Sequence, residues 1–148
     1  MPLRVVRLGT PRLKGEGLRI GTVRRPPRGV PKSAFSARDF YDVWLPELAP
    51  STPLVRLALT AKSDAEWARV AKRFRSEMRA PDKTRLIDLL AALSHHARFS
   101  VGCYCEDAAR CHRSLLAALL AERGAEIAPV PWRAEPAGAV SVRRRRPP

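Results

Sequence analysis

Residues 98–123, RFSVGCYCEDAARCHRSLLAALLAER, decide the fold of this chain. The first part, residues 98–104, is rich in residues that favour β-strands. A leucine-rich helix is predicted to follow as far as Arg123, with Gly124 at its end. A strand that leads into a helix is the repeating unit of parallel sheets. The stretch therefore predicts an α/β fold: a small single domain in which a short, mostly parallel sheet is flanked by helices.

The rest of the chain supplies the other elements of such a fold. Residues 3–8 and 18–23 are β-prone runs separated by glycine and proline, which predicts two strands. Capping residues and apolar periodicity predict further helices beginning at Ser36, Ser63 and Pro81. Thr52 and Pro53 are typical of a helix start, but residues 54–60 that follow fit a short helix and a strand equally. The domain is expected to span residues 1–142 and to end in a candidate edge strand at residues 139–142. Residues 143–148 are expected to be a disordered basic tail.

The composition indicates a globular domain with a strong positive charge. The chain has 148 residues, with 28 Lys and Arg against 14 Asp and Glu, and a formal net charge of +14. Such a charge attracts nucleic acids and other polyanions, although an arginine-rich codon usage gives the same result. No apolar run could span a bilayer, and no secretory signal is recognisable. All three cysteines lie within residues 103–111, unlike those of a secreted disulfide scaffold. We therefore expect a cytoplasmic protein that does not interact with membranes.

Cys103 and His112 are the candidate catalytic residues. Cys103 ends the strand that is predicted to lie in the middle of the sheet, and ligands of open α/β sheets bind outside the carboxyl ends of the strands. Asp107 is expected to cap a helix that begins at Ala108, so that the first-turn amides of this helix face the same crevice. His112 then points toward the sheet, and Arg113 is expected to reach an anion at the mouth of the helix. A thiol at this place is expected to have a lowered pKa.

A second basic segment, residues 24–32, is expected to meet this site. It follows a predicted strand and contains three prolines and one glycine, which predicts an exposed, rigid loop. Arg24 and Arg28 in this loop are candidate anion ligands. If the two strands are parallel neighbours, both loops emerge at one edge of the sheet and frame one crevice. The alternative is that Glu106 and Asp107 neutralise these arginines in ordinary salt bridges.

Two other interpretations of the cysteines stay open at this point. Cys103, Cys105, Cys111 and His112 offer four zinc-ligand atoms, but the spacing Cys-x-Cys-x5-Cys-His lacks the two-residue knuckle of structural zinc sites. We therefore expect no bound metal and no cofactor. In the third interpretation the cysteines are small buried side chains, and His112 and Arg113 hold the loop by hydrogen bonds.

Several motifs of the chain are similar to those of one known family. They are Arg24, Pro27, Arg28 and Gly29 in the early loop, residues 44–51 (WLPELAPS), the helix at residues 67–78, and Cys103 with residues 111–114 (CHRS). On these motifs the chain resembles the YeaO-like family, catalogued as domain of unknown function 488, over most of its length. The resemblance implies a compact α/β domain in which the early arginine loop and the late Cys-His-Arg loop meet at one site.

The chain also departs from the pattern of this family at three positions. Val23 replaces the early Asp, Pro26 replaces the early Trp, and Cys105 stands at the usual Glu position. Glu106, one residue later, and Ser114, which follows the Cys-His-Arg triplet, are added as candidate substrate-binding residues. The loss of the acidic positions leaves open whether the site is catalytic.

The favoured function is binding of, or action on, a nucleotide or nucleic-acid phosphate. Arg24, Arg28, Arg113 and the amides after Cys103 are expected to bind the anion, and His112 to orient it or transfer a proton. The alternative is a non-catalytic nucleic-acid-binding or interaction module that uses the overall charge and the arginines at residues 143–146. The substrate, the reaction and the oligomeric state are not determined by the sequence.

Overall fold

The computed structural model of the protein describes residues 2–107 and 110–129, which contain four strands and four helices. The strands are β1 (Arg4–Arg7), β2 (Leu18–Gly21), β3 (Val43–Trp44) and β4 (Phe99–Cys103). The helices are α1 (Thr52–Thr60), α2 (Asp64–Glu77), α3 (Pro81–Leu93) and α4 (His112–Glu122). Two short 3-10 turns, Lys32–Ala34 and Pro46–Leu48, flank β3.

The strands form one sheet in the order β1-β4-β2-β3, and every pair of neighbours is parallel. Val101 of β4 lies between Val5 of β1 and Ile20 of β2. All five residues of β4 are buried, as expected of a central parallel strand. The predicted α/β fold class and the central position of the strand that ends at Cys103 are therefore confirmed.

The helices cover the sheet through one apolar core. Phe74 of α2, Val101 of β4 and Leu116 of α4 are fully buried in it, and α1 packs on α2 while α3 packs on α4. The predicted Ser63 cap is present, since its hydroxyl accepts a hydrogen bond from the Glu66 amide at the start of α2. The Glu66 carboxylate accepts from the Lys62 amide rather than from the Ser63 amide, so the second bond of a capping box is displaced by one residue. Gly124 follows α4 with a φ of 84°, the left-handed conformation that favours glycine at a helix end. None of the described helices combines the length and apolarity that crossing a bilayer requires.

The predicted helix at Ser36 is wrong, because the apolar residues that suggested it belong partly to β3. The backbone around β3 pairs with β2 instead: the Leu45 amide donates to the Gly21 carbonyl over 2.9 Å. Asp39 adopts a φ of 61°, which interrupts any helix through this region, and Pro46 blocks one further on. Apolar spacing alone cannot distinguish these outcomes, since it does not record which backbone groups find partners in another strand.

The helix after β4 also begins later than predicted. It starts at His112 rather than Ala108, and its N-cap residue is Cys111, whose backbone is extended at φ −127° and ψ 146°. The Asp107 carbonyl accepts from the Arg110 amide in a turn, so Asp107 does not cap α4. The N-cap of α1 lies one residue earlier than predicted, at Ser51 rather than Thr52. The expected edge strand at 139–142 and the tail at 143–148 lie outside the described residues.

Candidate functional site

Two loops meet where the neighbouring strands β2 and β4 end. The early loop, residues 24–31, follows β2, and the late loop, residues 104–111, follows β4. The Tyr104 hydroxyl donates to the Arg25 carbonyl oxygen over 3.0 Å, and His112 Nε2 lies 2.6 Å from the Thr22 carbonyl oxygen. The prediction that both loops share one edge of the sheet is therefore confirmed. Parallel pairing explains it, because the carboxyl ends of parallel strands point the same way.

The two loops and the first two helices enclose a cavity of about 870 Å³. One end is formed by the late loop and the start of α4, with Cys103, Cys105, Cys111 and His112 in the wall. The apolar part of the lining comes from α1 and α2, including Leu54, Trp67, Val70 and Phe74. Phe74 lies against His112, with the ring centroids 5.8 Å apart. A cavity of this size with a mostly apolar lining and a few polar groups is typical of small-molecule sites.

The charged residues that line the cavity are all arginines. They are Arg24, Arg25, Arg28 and Arg110, and none of the described lining residues is Asp or Glu. Arg24 is engaged by the protein itself, since it donates to the carbonyl oxygens of Pro46, Ala49 and Pro50, each over 3.0 Å.

Arg110 is also partnered: its guanidinium lies 2.6 Å from an Asp64 carboxylate oxygen and donates to the Ser63 carbonyl oxygen. Arg25 and Arg28 differ, because both are exposed and neither side chain has a partner among the described residues. They are the two cationic groups of this cavity that remain available to a ligand.

The three thiols and His112 form a compact cluster, which we call the Cys–His cluster (Cys103, Cys105, Cys111 and His112). The Sγ atoms of Cys103 and Cys105 are 3.5 Å apart, and Cys111 Sγ lies 3.9 Å from His112 Nδ1. Ligand atoms of Cys103, Cys111 and His112 all lie within 4.8 Å of one another. Cys103 and Cys111 are buried, Cys105 is half-buried, and all three are free thiols.

Hydrogen bonding inside the cluster separates the pKa values of the thiols. Bonds from Cys103 and Cys111 lower the pKa of Cys105, which is further lowered by the nearby His112 and Arg113. The hydrogen bonds that Cys103 and Cys111 make with Cys105 raise their own pKa values. Burial raises the pKa of these two thiols further. Cys105 is therefore the thiol that ionises first, whereas the sequence had favoured Cys103.

His112 is held in one tautomer by its backbone partner. The Thr22 carbonyl can only accept, so His112 Nε2 carries the proton and donates to it. The lone pair of the neutral ring is then on Nδ1, the atom that faces Cys111. Burial is the largest effect on this group and lowers the pKa of the imidazole.

Three predicted ligand residues lie outside the lining of the cavity. Arg113 is only 5% exposed and donates to the carbonyl oxygens of Cys103 and Glu106, each over 3.5 Å. The Ser114 hydroxyl donates to the Cys111 carbonyl over 2.7 Å, and the exposed Glu106 carboxylate pairs with Arg7. The structure thus brings Cys103, His112, Arg24 and Arg28 to the cavity, and places Arg113, Glu106 and Ser114 around the loop that supports it.

Sequence reasoning named Cys105 only as a possible zinc ligand and as a departure from the family pattern, and it did not single out Arg25 or the apolar wall. The position of Cys105 two residues after Cys103, just beyond the strand end, could have indicated its role in the site as the thiol of lowered pKa. Arg25 stands next to Arg24 in the same loop, but no sequence pattern predicts which of the two side chains bonds to the protein and which stays exposed. The apolar wall had no signal of its own, because Trp67 and Phe74 belong to a stripe that also packs the core.

Comparison with known proteins gave one match. The model of the DUF488-N3a family, described as the active DUF488-N3 subclade, matches residues 3–124. No curated protein sequence and no solved structure matched the chain. The family match agrees with the resemblance to domain of unknown function 488 that the motifs indicated.

Proposed function

The chain belongs to the DUF488-N3a family, and from this membership we propose that it binds a phosphate-bearing ligand of about nucleotide size and acts on it at the Cys–His cluster. The family supplies the fold and the expectation of an active site, but no substrate. The substrate class is argued below from the charge, shape and chemistry of the cavity.

The observation that carries the proposal is the charge of the cavity lining, which contains four arginines and, among the described residues, no carboxylate. Guanidinium groups close together repel one another, and a cavity of one sign attracts ligands of the other. Arginine also fits phosphate better than lysine does, because its planar donors bind two oxygens at once. Arg25 and Arg28, whose side chains have no partner among the described residues, are the proposed phosphate ligands.

The apolar part of the cavity lining suits an uncharged, planar part of the same ligand. Trp67, Phe74 and Leu54 line this wall. A free phosphate would leave most of a cavity of about 870 Å³ without contacts. A nucleotide fills it better, because its base packs on apolar and aromatic side chains while its phosphate reaches the arginines.

The Cys–His cluster is where we place the chemical step. It lies in the cavity wall and combines nucleophilic thiols with an imidazole, the groups that most often carry covalent and proton-transfer steps. The description of the subclade as active supports a reaction over binding alone. Arg113 supports this site from below as a positioning residue, since it holds the carbonyl groups at both ends of residues 103–106.

Equilibrium binding with a panel of small ligands tests the proposal. AMP and ADP are expected to bind more tightly than adenosine or inorganic phosphate alone, because each of these offers only half of the contacts. The Arg25→Ala/Arg28→Ala variant should weaken nucleotide binding at least about tenfold, equivalent to about 1.4 kcal/mol. The matched control is Arg79→Ala/Arg85→Ala, which removes two exposed arginines that do not line the cavity. Equal losses in the two variants, or no nucleotide binding by the wild type, would contradict the proposal.

A second candidate, the non-catalytic nucleic-acid-binding module, is favoured by one observation: the net charge of +14 is far larger than four cavity arginines account for. Exposed basic residues such as Arg56, Arg69 and Arg73 lie on the helices outside the cavity lining. In this candidate function the nucleic acid binds to the surface and to the basic residues 143–146, and the cavity is not required.

A further inference from the structure

We propose that the Cys–His cluster is a zinc site, in which Cys103, Cys105, Cys111 and His112 bind one Zn²⁺ ion in the wall of the cavity. This inference goes beyond anion binding and does not depend on it. It is an alternative to a free thiol as the nucleophile of the cluster, because a zinc ion with four protein ligands leaves no thiol free. The ligand set, three sulfurs and one nitrogen, is one of those that tetrahedral zinc adopts in proteins. Sulfur-rich donors also select zinc over magnesium or calcium, which require oxygen.

The distances inside the cluster match the edges of a zinc tetrahedron. With Zn–S near 2.3 Å and Zn–N near 2.0 Å, neighbouring ligand atoms lie about 3.5 to 3.8 Å apart. The observed separations are 3.5 Å between Cys103 Sγ and Cys105 Sγ and 3.9 Å between Cys111 Sγ and His112 Nδ1. Ligand atoms of Cys103, Cys111 and His112 all lie within 4.8 Å of one another and form three corners of the site. Cys105 contacts this group through Cys103, and a rotation of its side chain toward His112 would supply the fourth ligand.

The hydrogen bond of His112 prepares the ring for a metal. Histidine ligands almost always donate their second ring N–H to a carboxylate, a carbonyl or water, which fixes the tautomer and the ring orientation. His112 Nε2 makes this contact with the Thr22 carbonyl oxygen over 2.6 Å. Nδ1 is thereby left as the donor atom, and it is the atom that faces the thiols.

The charge around the cluster gives an independent argument. Three thiolates and one Zn²⁺ ion carry a net single negative charge. The Arg113 guanidinium is 5% exposed beside the late loop, and among residues 2–107 and 110–129 no carboxylate forms an ion pair with it. A buried cation without a counter-charge is costly. A zinc–thiolate centre supplies that counter-charge at the loop that Arg113 supports.

The topology explains why the spacing in the sequence did not indicate this site. The ligands come from the end of β4 and the start of α4, and His112 is oriented by the end of β2. Cys103 and Cys105 are brought together because the strand ends at Cys103, so the chain turns between them. A zinc ion here would fasten these three elements at the wall of the cavity.

The experiment is a metal titration of the full-length protein under reducing conditions. After incubation with Zn²⁺ and removal of the excess, elemental analysis should find about one zinc per chain, bound tightly enough to resist a micromolar-affinity chelator. Co²⁺ should give the intense visible absorption of tetrahedral thiolate coordination. Bound zinc should also protect all three thiols from alkylation, whereas all three react once the metal is removed and the chain is denatured.

Substitutions identify the ligands. His112→Ala and Cys105→Ser should each weaken zinc binding at least tenfold, about the lower limit for the loss of a zinc ligand or its support. His96→Ala, which removes an exposed imidazole that makes no hydrogen bond within the described chain, should have no effect. Circular dichroism checks folding, and the cobalt spectrum of the wild type tests the site even if a variant does not fold.

Zinc well below one per chain, or no thiolate band with Co²⁺, would overturn the inference. Nucleotide binding by the Arg25→Ala/Arg28→Ala variant is measured separately, so the two proposals fail independently.

Discussion

His112 Nε2 donates a hydrogen bond of 2.6 Å to the carbonyl oxygen of Thr22, a residue 90 positions earlier in the chain. Thr22 follows β2 and His112 begins α4, so this bond connects the two loops that enclose the cavity. It also explains why the imidazole presents Nδ1 to the thiols in a single orientation. The geometry of the candidate site therefore depends on a contact between the end of one strand and the start of a distant helix.

The glycine before β2 should tolerate no side chain. Gly17 has a φ of 81°, and a Cβ there would overlap the backbone carbonyl of Arg98. Gly17→Ala is expected to lower the free energy of unfolding by about 2 to 4 kcal/mol, measured by urea denaturation. Gly29→Ala is the control, because its φ is 70° but nothing lies within 4 Å of the added Cβ. It should show only the conformational cost, about 1 kcal/mol. Equal effects at both positions would show that the clash is relieved.

The stability of the fold should depend on the buried ion pair between Glu16 and Arg19 at the start of β2. Arg19 Nε lies 2.9 Å from Glu16 Oε1, and both side chains are 1% exposed. Arg19→Met leaves a carboxylate buried without its counter-charge, so we expect a loss of about 3 to 5 kcal/mol in the free energy of unfolding. Glu16→Gln in the same chain should restore part of it.

The control for Arg19→Met is Arg75→Met, which breaks the surface pair of Arg75 and Glu122. Exposed pairs contribute little, so its denaturation midpoint should stay close to that of the wild type. If Arg19→Met were as stable as this control, the buried pair would not hold the residues before β2 in place.

Acid should destabilise the fold through Asp42. Burial alone would raise its pKa, but hydrogen bonds from Arg12, Ser36 and the Arg19 amide outweigh burial and lower the pKa from 3.8 to about 2. A lowered folded-state pKa stabilises the protein fully above the unfolded value of about 4, and this contribution is lost as the pH falls toward 2. The lost contribution is about 2 kcal/mol.

Denaturation of Asp42→Asn between pH 2 and pH 6 measures this contribution. The variant should be less stable than the wild type at pH 6 and should show a flatter pH dependence below pH 4. Asp88→Asn, which removes a half-exposed carboxylate from a pair with Arg123, should retain the pH dependence of the wild type. Identical slopes for Asp42→Asn and the wild type would rule out Asp42 as the titrating group.

Truncation of the chain after Val142 distinguishes the two candidate functions. If the cavity is the binding site, AMP and ADP affinities should stay within about twofold of those of the full chain, because the truncated chain keeps the proposed phosphate ligands Arg25 and Arg28. If the protein is a nucleic-acid-binding module, fluorescence anisotropy should show that binding of an oligonucleotide is lost on truncation. That binding should also fall steeply with salt in the full chain. Oligonucleotide binding that survives truncation would contradict the tail-based alternative.

Much of the fold could be predicted from local patterns. The β-prone runs placed β1, β2 and β4, and the serine and proline signals placed the starts of α2 and α3. The predictions failed where partners from elsewhere in the chain decided the outcome. Residues 43–44 form a strand because β2 offers free backbone groups beside them, and α4 begins late because Cys111 is extended.

The candidate site divides in the same way. The sequence by itself determined that the chemistry-bearing residues follow a central strand, since a strand-helix unit with Cys103 at the junction restricts where they can lie. Only the tertiary structure decided their roles: Arg113 became a buried support, Arg25 and Arg28 became the available cations, and the Cys–His cluster became compact. The physical reason is that apolar periodicity indicates which face of a helix or strand is buried, and capping residues indicate where a helix begins. Both signals concern a single element. The partners of charged and sulfur-bearing side chains depend instead on which strand ends become neighbours, and this is a property of the assembled sheet that no local segment contains.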